Sequence, residues 1–129
     1  MAGLQVTNLD HVTVIVTDLE RSRRFYRDVL GLQEVPPPYT FDFIVLWFAV
    51  GDGQYIHLLQ KPEPDTISPR HFAVRVTDAL AARDHCRAHG LDIRETVRIP
   101  NADRFFVTDP DGHRTEVIQW FKPYDPAAK

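Results

Sequence analysis

The stretch LDHVTVIVTD, residues 9–18, comes back sixty positions later as PRHFAVRVTD, residues 69–78. Each copy has histidine in third place, alternating apolar residues behind it, and Thr-Asp at its end. Aligning His11 with His71 sets Val14 on Val74, Val16 on Val76 and Asp18 on Asp78. A second match follows. YIHLLQ (55–60) lies over RTEVIQ (114–119), so His57 falls on Glu116 at an offset of 59, the offset that also sets Gly31 on Gly90. One residue lost from the helical part reconciles the two offsets. Matches in the same order along the chain mean two modules built on one plan.

Each module reads as a strand, a helix and further strands. Over 9–16, Val12, Val14 and Val16 point one way and His11, Thr13 and Ile15 the other. Thr17 or Asp18 caps the next helix, and Thr17 with Glu20 has capping-box spacing. Ser22, Phe25, Tyr26, Val29 and Leu30 give that helix an apolar side, and Gly31 ends it. Three prolines at 36–38 mark a loop. FDFIVLWFAV (41–50) and QYIHLLQ (54–60) flank Gly-Asp-Gly as a hairpin. Both faces of 41–50 are apolar, so this strand is expected to be covered on both sides, one side being a substrate pocket or a subunit contact. The second module predicts a strand over 71–76, a helix near 78–89, a strand near 93–99 and a hairpin turning at Pro110-Asp111-Gly112. QKPEPDTISP (60–69) joins the modules, about 9–60 and 69–121, within a single expected domain. Two related modules can cover each other's edges and form a continuous curved sheet.

Composition narrows the function. The chain has 129 residues, 43% hydrophobic and 26% charged, with a formal charge of −3. That sign argues against nucleic acid as partner. No apolar run approaches the roughly 20 residues of a membrane span. The opening MAGLQVTNLD has no basic region followed by an apolar block, so no secretion signal is expected. The one cysteine, Cys86, forms no internal disulfide, in keeping with a cytoplasmic location.

The repeat places four ligand-type side chains on four strands: His11, His57, His71 and Glu116. If the valine faces pack under the helices, all four point to the opposite side of their sheet. Single strand histidines are usually packed or hydrogen-bonded residues. Four at matched positions read instead as a site for a divalent metal such as Zn, Fe, Ni, Co or Mn. Thr13 lies on the same face as His11, and Trp47 belongs to an aromatic group with Tyr39, Phe41, Phe43 and Tyr55. Arg98, Asn101 and Arg104 surround IPNADR as a candidate anion-binding loop. His85 and His89 read as a solvated face of a helix charged all round. Cys86 reads as core, and His113 as exposed.

LDHVTVIVTDLERSRRFYRDVLGL, RHFAVRV and DPDGHRTEVIQ resemble the vicinal oxygen chelate superfamily, which includes glyoxalase I, methylmalonyl-CoA epimerase, fosfomycin-resistance thiol transferases, extradiol dioxygenases and bleomycin-binding proteins. The resemblance spans about residues 9–121. It implies an α+β fold of two pseudo-symmetric βαβββ modules forming a curved, cup-shaped mixed sheet around a divalent metal. It implies His11, His71 and Glu116 as ligands, a small-molecule substrate and a homodimer. His57 falls where glyoxalase I carries a glutamate and the epimerase a glutamine. The expected function is a metal-dependent, glyoxalase-like lyase or isomerase that chelates two substrate oxygens, with Glu116 as proton shuttle. Since only Glu116 is acidic, a two-base isomerisation lacks its second carboxylate. Thiol transfer of the fosfomycin-resistance type, extradiol ring cleavage and sequestration of a small molecule without chemistry stand as alternatives.

Overall fold

Alternation decides which face of each strand is buried, and the computed structural model of the chain, which describes residues 3–129, follows it. Met1 and Ala2, part of the stretch read for a leader, lie outside the described residues. The first compact unit, ending at Pro64, contains β1 (His11–Val16), α1 (Leu19–Arg23) running into a π-helical segment (Arg24–Val29), β2 (Gln33–Val35), β3 (Val45–Val50) and β4 (Gln54–Gln60). The second, from Asp65, contains β5 (His71–Arg75), α2 (Ala79–Ala88), β6 (Ala102–Thr108) and β7 (Arg114–Trp120). The strands hydrogen-bond as two sheets, in the orders β1-β4-β3-β2 and β5-β7-β6. In each, the first pair is parallel and the others antiparallel. The chain is therefore α+β with one mixed sheet in each unit.

In the first unit the register sets Val14, Leu58 and Leu46 in one row, with Val12, Ile56 and Phe48 in the next. These share the face that Val16 occupies. Of them Val14, Val16, Leu46, Phe48, Ile56 and Leu58 are buried, as are Phe25 and Tyr26 of the π-helical segment. The Tyr26 and Phe48 rings lie 6.1 Å apart. Burying each such side chain contributes about 1.5–3 kcal/mol, and Phe48→Ala would remove about 3–5 kcal/mol. The wider turn, marked by Leu30 N–H donating to the Phe25 carbonyl, departs from the single α-helix expected and lets neighbouring Phe25 and Tyr26 both reach the sheet.

Both helices start on the aspartate of the repeated Thr-Asp. Asp18 accepts from the Arg21 N–H at 3.1 Å and Asp78 from the Ala81 N–H at 3.0 Å. Of the two candidates, Asp18 is the cap of the first helix, while Thr17 Oγ1 accepts from the Arg21 guanidinium and Glu20 pairs with Arg23. Gly31 and Gly90 sit just past the two helices at φ 73° and 79°, the left-handed conformation that glycine adopts without strain.

An arginine ties each helix to its sheet. Arg23 holds Glu34 of β2 through two hydrogen bonds of 2.8 and 3.1 Å. Sixty positions on, buried Arg83 holds Glu95 through two of 2.9 Å and Asp103 through two of 2.8 and 2.9 Å, with its guanidinium 4.8 Å from the Phe105 ring centre. Arg83 shares the inner side of α2 with Ala79 and Cys86, so even that side of the helix carries a charge, one neutralised by its carboxylate partners.

Three further expectations need correction. The strand expected near 93–99 is reduced to a single bridge between Arg94 and Phe106. The Arg104 guanidinium takes the Val97 carbonyl at 2.9 and 3.2 Å, so that backbone group does not enter a ladder. The strand expected over 41–50 begins at Val45, where pairing to β4 starts at Leu59. Phe43 and Ile44 precede it and are exposed rather than covered on both sides. His113 is half-buried, because its backbone closes the turn on Asp109: its N–H donates to Asp109 Oδ1 and its carbonyl accepts the Asp109 N–H, both at 2.8 Å.

Candidate functional site

The first unit brings His11 and His57 together. Thr13, His57 and Trp47 form one row across β1, β4 and β3, and His11 stands in the next row on the same face. The His57 ring lies between two others. The His11 ring is stacked on one side at 4.0 Å and 19°, the Trp47 indole on the other at 3.9 Å and 16°. His57 is only 7% exposed, and its Nε2 is buried without a hydrogen-bond partner. Burial first, and His11 second, hold its pKa below the ordinary histidine value, with Asp10 partly offsetting them. The ring is therefore neutral at pH 7, the form that ligates metals. His11 is more open, and its Nδ1 lies 2.7 Å from the Asp10 carboxylate. A cleft of about 310 Å³ opens on this face and includes Thr13, Phe41, Phe43 and Trp47 in its lining.

The second unit repeats the register with different side chains. Ala73, Glu116 and Phe106 form the row that corresponds to Thr13, His57 and Trp47. His71 Nε2 lies 3.1 Å from Glu116 Oε1, and its Nδ1 lies 2.9 Å from the Pro69 carbonyl. The Phe106 ring meets His71 edge-on at 4.9 Å. Glu116 is 7% exposed, and Arg104 Nη1 stands 3.5 Å from the same Oε1. Arg75 and Arg104 lie in the row on one side of Glu116, Arg114 in the row on the other, all on its face.

Three observations fit this donor set to a divalent metal. A histidine that ligates through one ring nitrogen usually gives its other N–H to a carboxylate or carbonyl. Asp10 and Pro69 serve His11 and His71 in that way, leaving both Nε2 atoms as donors. His57 Nε2 is a buried lone pair or N–H with no partner, which costs about 1–3 kcal/mol unless something binds there. Atoms about 2.1 Å from a common ion are about 3 Å apart, and the separation of His71 Nε2 from Glu116 Oε1 matches that. Among the described residues no group of three or more His, Cys, Asp or Glu is gathered. The ligand-type residues are held as one pair in each unit.

Of the other sequence-predicted residues, Arg104 meets Glu116, while Thr13 and Trp47 adjoin His57. Arg98 is exposed, outside the strands. Asn101 has a left-handed backbone, φ 62°, and its carbonyl accepts the Phe121 N–H at 2.8 Å, a turn role suited to asparagine. His85 of α2 and His89, which caps its C-terminal end, are exposed with their rings 4.6 Å apart. Cys86 is buried, which pushes its thiol pKa up. Asp10 and Pro69 had not been singled out in the sequence. The signal was available, since each lies within two residues of a paired histidine.

A family model described as the Glyoxalase/Bleomycin resistance protein/Dioxygenase superfamily matches residues 8–117. The chain is 30% identical over 125 residues to Glyoxylase I 4 of Arabidopsis thaliana, across 88% of this chain and 71% of that protein. It is 31% identical over 122 residues to the lactoylglutathione lyase of Haemophilus influenzae, across 84% of this chain and 90% of that protein. Among solved structures, a protein of Bacillus anthracis assigned to the glyoxalase family superposes with a TM-score of 0.83 at 25% identity, covering 92% of this chain and 99% of that one.

Proposed function

Because the chain belongs to the Glyoxalase/Bleomycin resistance protein/Dioxygenase superfamily, we propose that it is a divalent-metal enzyme acting on a small molecule with two neighbouring oxygens, with His11, His57, His71 and Glu116 as ligands. The observation that carries this reading is the matched orientation of two histidines, Asp10 on His11 Nδ1 and the Pro69 carbonyl on His71 Nδ1, with both Nε2 atoms left as donors. Zn, Ni, Fe, Co or Mn suits a set of imidazoles with one carboxylate. When bound, such an ion polarises substrate oxygens and stabilises the negative charge that develops on them.

The chain's own residues supply the rest. Asp10 and the Pro69 carbonyl fix the two imidazoles. Glu116 is the one carboxylate among the four, so it is the proton shuttle of this reading: an Oε atom takes the proton from the substrate carbon and returns it to the product. Arg104, beside Oε1, holds that carboxylate in place. In this reading His57 is a ligand where a second base would stand, and a coordinated imidazole does not take up a proton, so the chemistry is one-base proton transfer of the lyase or isomerase type. Each sheet ends on two edge strands, β1 and β2 in one and β5 and β6 in the other, and a homodimer that covers edges belongs to this reading.

A second reading, thiol transfer to an anionic electrophile, is favoured by Arg75, Arg104 and Arg114 on the face of Glu116, since guanidinium groups suit phosphonate or carboxylate. One experiment separates the two. Protein purified without added metal is analysed for metal content and assayed, with each metal, on 2-oxoaldehyde hemithioacetals and on epoxide phosphonates with thiols. About one ion per chain and turnover of the first panel supports the leading reading. Turnover of the second panel alone moves the assignment to thiol transfer, and no bound metal overturns both.

A further inference from the structure

The cleft of the first unit differs in character from the matching face of the second. Phe41 and Phe43 are stacked at 4.8 Å and 20°, Phe41 meets the Trp47 indole edge-on at 6.0 Å, and Trp47 stacks on His57. An unbroken series of rings thus leads from the surface to the ligand pair. Phe41 is 39% exposed and Phe43 52% exposed, so the outer rings present faces that nothing in the unit covers. The fold does not require rings there. The corresponding positions of the second module hold Pro100 and Ala102. Where Arg104 stands beside Glu116, the first module carries Val45. The lining contains no lysine or arginine, and Asp10 is its one charged side chain. At about 310 Å³ the cleft lies at the lower end of small-molecule sites, roughly 300–1,000 Å³.

We propose that this cleft takes a planar aromatic ring, and that the substrate is an aromatic compound bearing two neighbouring oxygens. The inference rests on the metal reading above for the position of the oxygens, while the ring site stands on the cleft alone. A ring entering beside Phe43 finds an aromatic face to stack on and covers apolar surface. A carboxylate placed in this cleft would meet Asp10 and no lysine or arginine, so the ring and not an anionic group belongs here. The apolar side walls, Val45 and Leu59, accept the ring edge.

Two hydroxamates share one chelating head and differ in the ring. Binding of benzohydroxamate and acetohydroxamate to the zinc-loaded protein is measured by calorimetry. Benzohydroxamate is expected to bind about ten-fold tighter or more. The exposed double variant Phe41→Ala/Phe43→Ala is expected to shrink that ratio to about three-fold or less, with acetohydroxamate unchanged. In parallel, fluorobenzene, which carries no chelating oxygen, is titrated into metal-free wild type and the double variant and followed by fluorine NMR. Saturable binding lost in the variant supports the ring site. If neither hydroxamate binds but fluorobenzene does, and the variant loses it, the metal reading fails and the ring site survives. If both hydroxamates bind equally and fluorobenzene does not bind, the ring site is overturned and the metal reading survives. Light scattering covers the remaining occupant. A dimer that becomes monomer in the double variant, with the hydroxamate ratio unchanged, means that the rings seal a contact between copies, and this too overturns the proposal.

Discussion

His71 Nε2 faces Glu116 Oε1 at 3.1 Å while the Pro69 carbonyl occupies the opposite ring nitrogen. When the ring carries a proton on Nδ1 alone, Nε2 directs a lone pair at a carboxylate oxygen. Two acceptors at that distance need a proton or a cation between them. If a metal ion fills that role, His71→Ala and Glu116→Gln each remove one donor from the same centre. Each variant is expected to lose most of its metal on dialysis against a chelator that leaves the wild type loaded. Elemental analysis of the dialysed proteins checks this, and full retention by both would sink the ligand assignment.

Asp10 is a subtler test, because it touches the metal only through His11. Asp10→Asn keeps the shape of the side chain but removes the charge that orients the ring. Partners of this kind are worth about 10–100-fold in metal affinity or activity. A loss of that size, with thermal stability unchanged, is the expected outcome in chelator competition. Unchanged affinity would reduce the Asp10 contact to a surface ion pair of an exposed histidine.

The part of this arrangement that follows from alternation was legible before any coordinates. In a strand the side-chain period is two, so the valines under the helix placed His11 and Thr13 on the other face. The offsets of the repeat then carried His57 and Glu116 to matching rows. What depends on contacts between distant residues was not legible. Trp47 is one aromatic residue in an apolar run until β3 pairs with β4 in the register that lays it on His57. Arg83 looks like one charge among many on α2, because Glu95 and Asp103 lie 12 and 20 positions away. The fate of residues 93–99 is hidden in the same way, since the Val97 carbonyl is taken by the guanidinium of Arg104, seven positions on. β2, three residues long, is too short to show any period.

Arg83 yields a stability prediction with a pH dependence. Its hydrogen bonds come first in holding the Glu95 and Asp103 carboxyls below their ordinary pKa values. A carboxyl lowered on folding adds stability that is fully present above its unfolded pKa. That stability is lost as the pH falls through its folded value. The wild type is therefore expected to weaken in denaturant as the pH falls from about 5 toward 3, and Asp103→Asn to weaken less steeply. Arg83→Met, which leaves both carboxylates without their partner, is expected to lose about 2 kcal/mol at pH 7. Arg23→Met, whose partner Glu34 is half-buried, is expected to lose about 0.5–1 kcal/mol. Urea midpoints across the pH series check the order, and parallel acid limbs for wild type and Asp103→Asn would remove the aspartate from the account.

His57 decides the chemistry. Its ring is stacked between His11 and Trp47, and its Nε2 is buried without a partner. His57→Ala removes a donor and two ring contacts, each worth about 0.5–1.5 kcal/mol. Weaker metal binding and a loss of stability of about 1–3 kcal/mol are both expected. His57→Glu removes the same contacts but puts a second carboxylate where the repeat matches Glu116. A pair of carboxylates, one for each direction of proton movement, is what a two-base isomerisation needs, and general acid–base catalysis is worth about 10²–10⁴-fold. His57→Glu is therefore expected to raise isomerisation of the phenylglyoxal hemithioacetal at least about ten-fold over wild type, an increase that disappears when Glu116→Gln is added. Progress curves with matched metal loading measure it. If His57→Ala keeps wild-type metal affinity and His57→Glu gains no isomerisation, His57 only lines the cleft. The site then reduces to His11, His71 and Glu116, and the balance moves to thiol transfer.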